Sequence, residues 1–273
     1  MSTNSAPLTL EAVRSVLDQD IPVEVVVVNT GKGSLKDRLA HFGDQIKLLE
    51  TPDRQFAGGT RNIGIENSRA PFVTFLAADC IAGPKSLKLR LKHHKKGAPT
   101  VASAIRPMPG RCGSVTTASW ASCALTHMMR LPETPSDKAP RFSLSYDRKV
   151  LEKLGNFDES LRIGEDSELN ARALPKFGIP IWDPLIVTFH RYPDTILSAM
   201  IDQFRRGRRN ALFHKVNSRR APWRTALGNL KYIRTVMDRA RYPYPPELLA
   251  SKWLILPLGI AHAAGSISAA ISF

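Results

Sequence analysis

Only three cysteines occur in 273 residues, at Cys80, Cys112 and Cys123. They are too few and too scattered for a disulfide framework or a zinc site, and they read as reduced thiols. Aromatic residues are also sparse, with four Trp and five Tyr and no interleaving of rings among the basic residues. No helix-turn-helix, zinc or aromatic RNA-binding signature is present, so no nucleic-acid partner is expected. Residues 1–7, Met-Ser-Thr-Asn-Ser-Ala-Pro, lack a basic segment followed by an apolar core, so no secretory signal is expected. Internal repeats and low-complexity tracts are absent. Reduced thiols without an export signal imply a cytoplasmic location.

What is present is an ordinary globular composition, 43% hydrophobic and 23% charged. The length suits one large α/β domain plus an appendage. The net charge of +15 is unevenly spread: from Thr195 onward 13 Lys and Arg face 3 Asp and Glu, a net of +10, which leaves +5 for the first 194 residues. A basic C-terminal third can meet nucleic acid, anionic lipid or a phosphorylated substrate, or form a solvated helical face. Residues 253–273 then run for 21 positions without a formal charge. That length approaches a membrane span. Pro257, Gly259, His262, Gly265 and three serines dilute it, which leaves open a span, an interfacial or re-entrant helix, and a packed helix. Arg234, Arg239 and Arg241 just upstream favour a cytoplasmic, lipid-facing side.

Periodicity predicts an alternation of strands and helices. Leu10, Val13, Val16 and Leu17 have helical spacing, and Val23 to Val28 form a β-branched run suited to a strand buried on both faces. Further strands are expected at 46–49, 71–76, 100–105, 142–145 and 179–189. Helices are expected at 35–42, 57–68, 84–96, 112–130, 147–154, 164–177, 195–216, 222–240 and 247–271, with a proline-rich loop at 131–140. This order predicts an α/β fold with a doubly wound, mostly parallel sheet flanked by helices. The expected division is a ligand-binding domain over 1–193 and a basic helical extension over 194–273.

Ligands of open parallel sheets bind beyond the carboxyl ends of the strands. Asn29 with Thr30, Asp79 and His190 stand at three such ends. Asp79 offers a hard oxygen ligand for Mg²⁺ or Mn²⁺, or a turn cap, and His190 an imidazole for the same ion or a structural ring. Gly58-Gly59 opens a helix and exposes N–H groups suited to phosphate, and Arg61 can pair with phosphate through two nitrogens. Glu165 and Asp166 open another helix, where they either cap it or supply a general base for a hydroxyl; Glu168 points elsewhere on that helix.

In this order the segments resemble the inverting glycosyltransferases of family 2, which have the GT-A fold, over residues 8–210. The resembling pieces are 19–29 with its strand ending at Asn29, Arg61-Asn62-Ile63-Gly64, Phe75-Leu76-Ala77-Ala78-Asp79-Cys80, Leu154-Gly155-Asn156-Phe157-Asp158-Glu159, Gly164-Glu165-Asp166-Ser167-Glu168-Leu169, His190, and Gln203-Phe204-Arg205-Arg206-Gly207-Arg208. The resemblance implies a GT-A-like domain that moves a sugar from a UDP, GDP or dTDP donor to a hydroxyl acceptor, such as a lipid-linked intermediate of surface polysaccharide. Asn29, Thr30, Gly58, Gly59, Arg61, Asn62 and Asp79 would bind the donor. Asp79 and His190 would hold the cation. Asp166, beside Glu165, would be the base. Gln203, Arg205, Arg206 and Arg208 would meet diphosphate or acceptor. The protein would work at the inner face of the cell membrane, peripherally or through a C-terminal anchor. Three departures stand out. Ala77 occupies the place of the first Asp of the Asp-x-Asp motif, Asn29 that of the usual Asp at the base pocket, and the family's opening strand has no counterpart in residues 1–5. A catalytically degenerate GT-A-like binding protein is the alternative these departures raise.

Overall fold

The structure, a computed structural model, describes residues 6–110, 113–123, 133–135, 143–217 and 246–271. The helix expected at 222–240 and most of the 131–140 loop lie outside these residues. The chain divides into two compact units. One comprises Met1–Ile105 and Met128–His190, the other Arg106–His127 and Arg191–Phe273. Segment 106–127 thus groups with the C-terminal helices, whereas a division at 193 alone would leave it with the first unit.

In the first unit, α1 (Ala6–Leu17) precedes β1 (Val25–Thr30), a short α2 (Lys36–Leu39) continues into a 3₁₀ turn (Ala40–Gln45), and β2 (Ile46–Thr51) follows. Strands β1 and β2 pair in parallel, Val25 opposite Ile46 through Thr30 opposite Thr51. Val13 of α1, Val27, Leu35, Leu39 and Phe42 form a buried cluster, with Leu10, Leu17, Ile46 and Leu48 packed against it. The apolar stripe of α1 therefore meets the β-branched run of β1, which is the burial that drives both elements to form.

Helix α3 (Ala57–Glu66) leads to β3 (Phe72–Thr74) and β4 (Cys80–Ala82). After α4 (Ser86–Lys95) come β5 (Thr100–Pro107), β6 (Thr134–Pro135), β7 (Ser145–Asp147), α6 (Arg148–Leu154), α7 (Glu165–Phe177) and β8 (Ile181–His190), with α5 (Ser114–Cys123) lying in the other unit. The larger sheet has the order β3-β7-β5-β8-β4, with β6 beside β8. The α/β fold expected from the sequence is present, but the strand directions differ from it. Parallel pairing occurs at β1–β2, whereas β3–β7, β5–β7, β4–β8 and β6–β8 are antiparallel. A run of apolar residues states that a strand is buried, not which way its neighbour runs, so direction was not readable from composition.

Below this sheet sits a buried polar layer. The guanidinium of Arg90 donates to the carbonyls of Val101 at 3.0 Å and Ser143 at 2.8 Å. His94 bridges the Ala98 carbonyl at 2.7 Å and Ser145 Oγ at 2.8 Å. His93 Nε2 meets Asp183 Oδ2 at 2.8 Å. Burial lowers the Arg90 pKa to about 10, against the pull of Asp183, and lowers that of His94 to about 4. The basic helix expected at 84–96 therefore turns several polar side chains inward, where they tie α4 to β5, β7 and β8.

The second unit contains α5, α8 (Ile196–Asn217) and α9 (Pro246–Ile271). Ala118, Ala121, Ala199, Leu254, Ile255 and Leu258 form its core. Helices α8 and α9 approach through glycine. A Cβ on Gly207 would fall on the His262 carbonyl, and one on Gly265 on the Phe204 carbonyl. Ser266 Oγ donates to the Gly207 carbonyl at 3.0 Å. No helix among the described residues is long and apolar enough to cross a membrane. Within residues 253–273, Leu254, Ile255 and Leu258 pack into the core of this unit, while Trp253, Leu256, Ile260 and Ile267 are exposed.

Candidate functional site

Helix α7 begins at Gly164, whose φ of 85° places it in the left-handed region. The turn presents Glu165 and Asp166 together, and Arg61 of α3 joins them. Arg61 Nη1 donates to Glu165 Oε1 at 2.7 Å and to Asp166 Oδ1 at 2.6 Å. Its guanidinium also stands 5.7 Å from the Phe75 ring centroid and 5.2 Å from that of Phe157. Such a charge-assisted, ring-flanked cation is held firmly. Read from the sequence as a phosphate ligand, Arg61 is here committed to the two acids. A guanidinium fits carboxylate and phosphate equally well, so its choice depends on a partner 104 positions away.

Burial is the largest influence on Asp166 and pushes its carboxyl up to about 6. The Arg61 charge pulls the other way and Glu165 adds to the rise. A carboxylate poised near neutrality suits proton abstraction. Asn170 Nδ2 donates to the Asp166 carbonyl at 2.7 Å, and Tyr146 donates to Asn170 Oδ1 at 3.0 Å, which fixes this turn to β7. Glu168 pairs with Arg172, away from the other two acids, and Arg172 in turn donates to the Leu154 and Asn156 carbonyls.

The glycines and Asn62 act on the same loop. A Cβ on Gly58 would lie 2.7 Å from the Asp158 carbonyl oxygen, so the first turn of α3 sits directly on the 157–159 segment. Gly59 has looser surroundings, its nearest neighbour being the flexible end of Gln55 at 3.2 Å. Asn62 donates to the Phe157 carbonyl at 2.9 Å and to Glu159 Oε1 at 2.8 Å, and accepts from the Phe157 N–H at 3.0 Å. Its amide is spent on holding Phe157 beside Arg61.

At the end of β1, buried Asn29 donates to Glu50 Oε1 at 2.9 Å and to the Gly33 carbonyl at 2.8 Å. Asn29 and Glu50 are direct partners in the parallel register. Glu50 also accepts from the Leu35 N–H at 2.7 Å and from Ser34 at 2.8 Å. Desolvation works to raise its pKa, but these hydrogen bonds prevail and hold it below the ordinary value. A carboxylate therefore does stand at this strand end, one strand over from where the family's Asp would be. Sequence reasoning passed over Glu50, although its place at the carboxyl end of β2 was the available signal. Thr30 Oγ1 lies 3.4 Å from Thr60 Oγ1 and accepts from the Gln55 N–H at 3.3 Å, linking β1 to α3.

Asp79 and His190 come together as the sequence reading anticipates. His190 Nε2 lies 3.6 Å from Asp79 Oδ2. With Cys80 they form a group whose donor atoms all lie within 4.8 Å of one another. Asp79 is about half exposed, with 46% of its side chain accessible, so an ion can reach it from solvent. A carboxylate and an imidazole at this separation fit a divalent cation. Exposed Ala77 contributes only its carbonyl, to the Cys80 N–H at 3.0 Å.

The sequence profile described as "Glycosyl transferase family 2" matches residues 2–155. The chain belongs to glycosyl transferase family 2. Glycosyl transfer is its general chemistry. No curated protein matches it. Among solved structures, S. aureus TarS 1–349 is similar with a TM-score of 0.59 at 15% identity, over 99% of this chain and 88% of that one. The mannosyltransferase PcManGT from Pyrobaculum calidifontis, solved with GDP-Man and Mn²⁺, has a TM-score of 0.57 at 20% identity, over 99% and 73% of the two chains. TarS 1–349 in complex with UDP gives 0.59 at 15% identity, over 98% and 88%. At these identities the likeness establishes the GT-A fold of this family 2 member.

Of the remaining candidates, Gln203, Arg205, Arg206 and Arg208 belong to α8 of the second unit. Gln203 is buried, with Oε1 3.2 Å from His262 Nδ1, and Arg206 pairs with Asp202 at 2.6 Å. Arg205 and Arg208 are exposed.

Proposed function

We propose that this family 2 glycosyltransferase is an inverting enzyme that takes a hexose from a nucleoside diphosphate sugar, with Asp166 as the base. The observation that carries the reading is the Arg61–Glu165–Asp166 constellation. Two carboxylates share one guanidinium, and burial holds the Asp166 carboxyl near neutrality. Arg61 holds the Asp166 oxygens in one orientation, and the rings of Phe75 and Phe157 flank its guanidinium. Asp166 then takes the proton of an acceptor hydroxyl as that oxygen bonds to the anomeric carbon. The bond to the diphosphate oxygen breaks on the opposite side, so configuration inverts in one displacement. Asp79 and His190 would hold the divalent cation, Mg²⁺ or Mn²⁺ in the family 2 pattern. When bound, that ion supplies charge neutralisation for the departing diphosphate. Asn29 and Thr30, at the end of β1, are assigned to the nucleoside end of the donor, with Glu50 as the acceptor of base N–H groups.

Calorimetry with UDP, GDP, dTDP and CDP, with and without Mn²⁺, tests the donor site. Metal-dependent binding of one nucleotide, lost in Asp79→Ala, is expected. Folded protein that binds none of them contradicts the reading and favours a degenerate scaffold.

The same proposal extends to a peripheral position on an anionic membrane, where a lipid-linked hydroxyl acceptor would be met. Its support is the outer face of α8. Ile196, Leu197, Met200, Ile201 and Phe204 are exposed, while Ala199, Gln203, Gly207 and Ala211 on the other face are buried. Exposed Arg205, Arg208 and Arg209 follow the apolar stripe on the same helix. Helix α9 adds exposed Trp253, Leu256, Ile260 and Ile267. Apolar residues beside arginines suit the boundary between headgroups and acyl chains. Co-sedimentation with phosphatidylglycerol vesicles is expected, weakened by salt and lost in Leu197→Glu/Phe204→Glu. Equal partitioning of this variant and the wild type contradicts the assignment.

A further inference from the structure

The cation cluster contains a third donor. Strands β4 and β8 run antiparallel with Cys80 opposite His190, and directly opposed residues send their side chains to the same face. The Cys80 Sγ lies 3.7 Å from Asp79 Oδ1, while His190 Nε2 lies 3.6 Å from Asp79 Oδ2. One sulfur, one oxygen and one nitrogen are thus gathered within 4.8 Å of one another. Ligands bound to one ion at about 2.0–2.3 Å are separated by no more than about twice that distance, which small side-chain rotations satisfy here. Cys80 is buried behind the more exposed Asp79, so it would close the inner side of the site while Asp79 faces solvent.

The donor set decides which ion the site prefers. A second carboxylate would favour a hard cation, but Ala77 stands in its motif position. Thiolate and imidazole ligands favour Zn²⁺ or Co²⁺ over Mg²⁺. We propose that Cys80 ligates the cation together with Asp79 and His190, and that this family 2 enzyme therefore selects a thiophilic divalent ion. The inference rests on the assignment of Asp79 and His190 to the cation. Coordination exchanges the S–H bond for a sulfur–metal bond and releases one proton to solvent.

Co²⁺ titrated into the metal-free full-length protein provides a readout independent of turnover. The Cys112→Ser/Cys123→Ser variant keeps Cys80 as its sole thiol and is expected to show a near-ultraviolet sulfur-to-Co²⁺ charge-transfer band. Cys80→Ser in that background abolishes the band, and Zn²⁺ displaces Co²⁺ at concentrations at least about tenfold below those needed with Mg²⁺. X-ray absorption of the bound ion in the Cys112→Ser/Cys123→Ser protein, which requires no change at Cys80, is expected to show one sulfur in the first shell. Co²⁺ binding that depends on Asp79 and His190 but shows no charge transfer and no sulfur scatterer overturns the role of Cys80 and leaves the cation site standing. Absence of any Co²⁺ binding overturns both.

Discussion

Arg61 donates to Asp166 at 2.6 Å across 105 positions of sequence, and the same nitrogen reaches Glu165. This contact makes Arg61 a positioning residue for the proposed base. Asp166 must be ionised to accept a proton, so donor hydrolysis is expected to rise with pH and level off above an apparent pKa of about 6. Removing Arg61 removes the charge that opposes the rise, so Arg61→Ala is expected to move this acid limb to higher pH and to lower kcat more than KM changes. Arg61→Lys keeps the charge and restores the limb in part. A pH–rate profile unchanged in Arg61→Ala contradicts the assignment.

Asn29 and Glu50 form a second coupled pair. Asn29→Asp restores the residue of the family pattern but places two like charges where a 2.9 Å hydrogen bond now stands. It is expected to destabilise the protein by about 1 kcal/mol and to raise the Glu50 pKa. In a Glu50→Gln background the same substitution is expected to be close to neutral. A double-mutant cycle by urea denaturation measures this coupling, and additive effects count against it.

The fold was legible where local chemistry decides it. The run Val25-Val26-Val27-Val28 forms β1, the Gly164 turn opens α7 with its two acids, and Asp79 and His190 do converge. Partners set by distant contacts were not legible. Nothing local to Arg61 distinguishes a phosphate from Glu165 and Asp166, and nothing local to Asn62 shows that its amide clamps Phe157. Glycine exposes N–H groups, so Gly58-Gly59 alone suggests a phosphate loop, but the close packing of Gly58 on the Asp158 carbonyl involves a distant segment that the pair itself does not announce. The facing of Cys80 onto His190 depends on the β4–β8 register, which a single sequence does not state.

That packing has its own consequence. Gly58→Ala places a Cβ 2.7 Å from the backbone oxygen of Asp158, which cannot rotate away as a side chain could. A loss of about 1–3 kcal/mol is expected. Gly59→Ala, which meets only the end of Gln55, is expected to cost less. Chemical denaturation of the two variants side by side distinguishes them, and equal stability contradicts the close approach.

Acid is expected to weaken the first unit through His94. Burial lowers its folded pKa from 6.5 to about 4, so between these values the unfolded chain binds the extra proton. Its contribution to stability is fully present above 6.5, falls as pH drops through that window, and is exhausted near 4. His94→Gln is expected to lower stability at pH 7 while flattening the decline between these limits. Thermal denaturation at a series of pH values checks this, and an equally steep decline in the variant excludes His94 as its cause.

The most direct test of the central claim is the anomer released when UDP-, GDP- or dTDP-hexose donors are hydrolysed in the absence of acceptor. Proton NMR records the first sugar formed before mutarotation equilibrates it. The account predicts release of the inverted anomer from one donor class, with the rate falling by about 10²–10⁴ in Asp166→Asn and nucleotide binding preserved. Release of the retained anomer, or hydrolysis undiminished in Asp166→Asn, would contradict single-displacement transfer with Asp166 as the base.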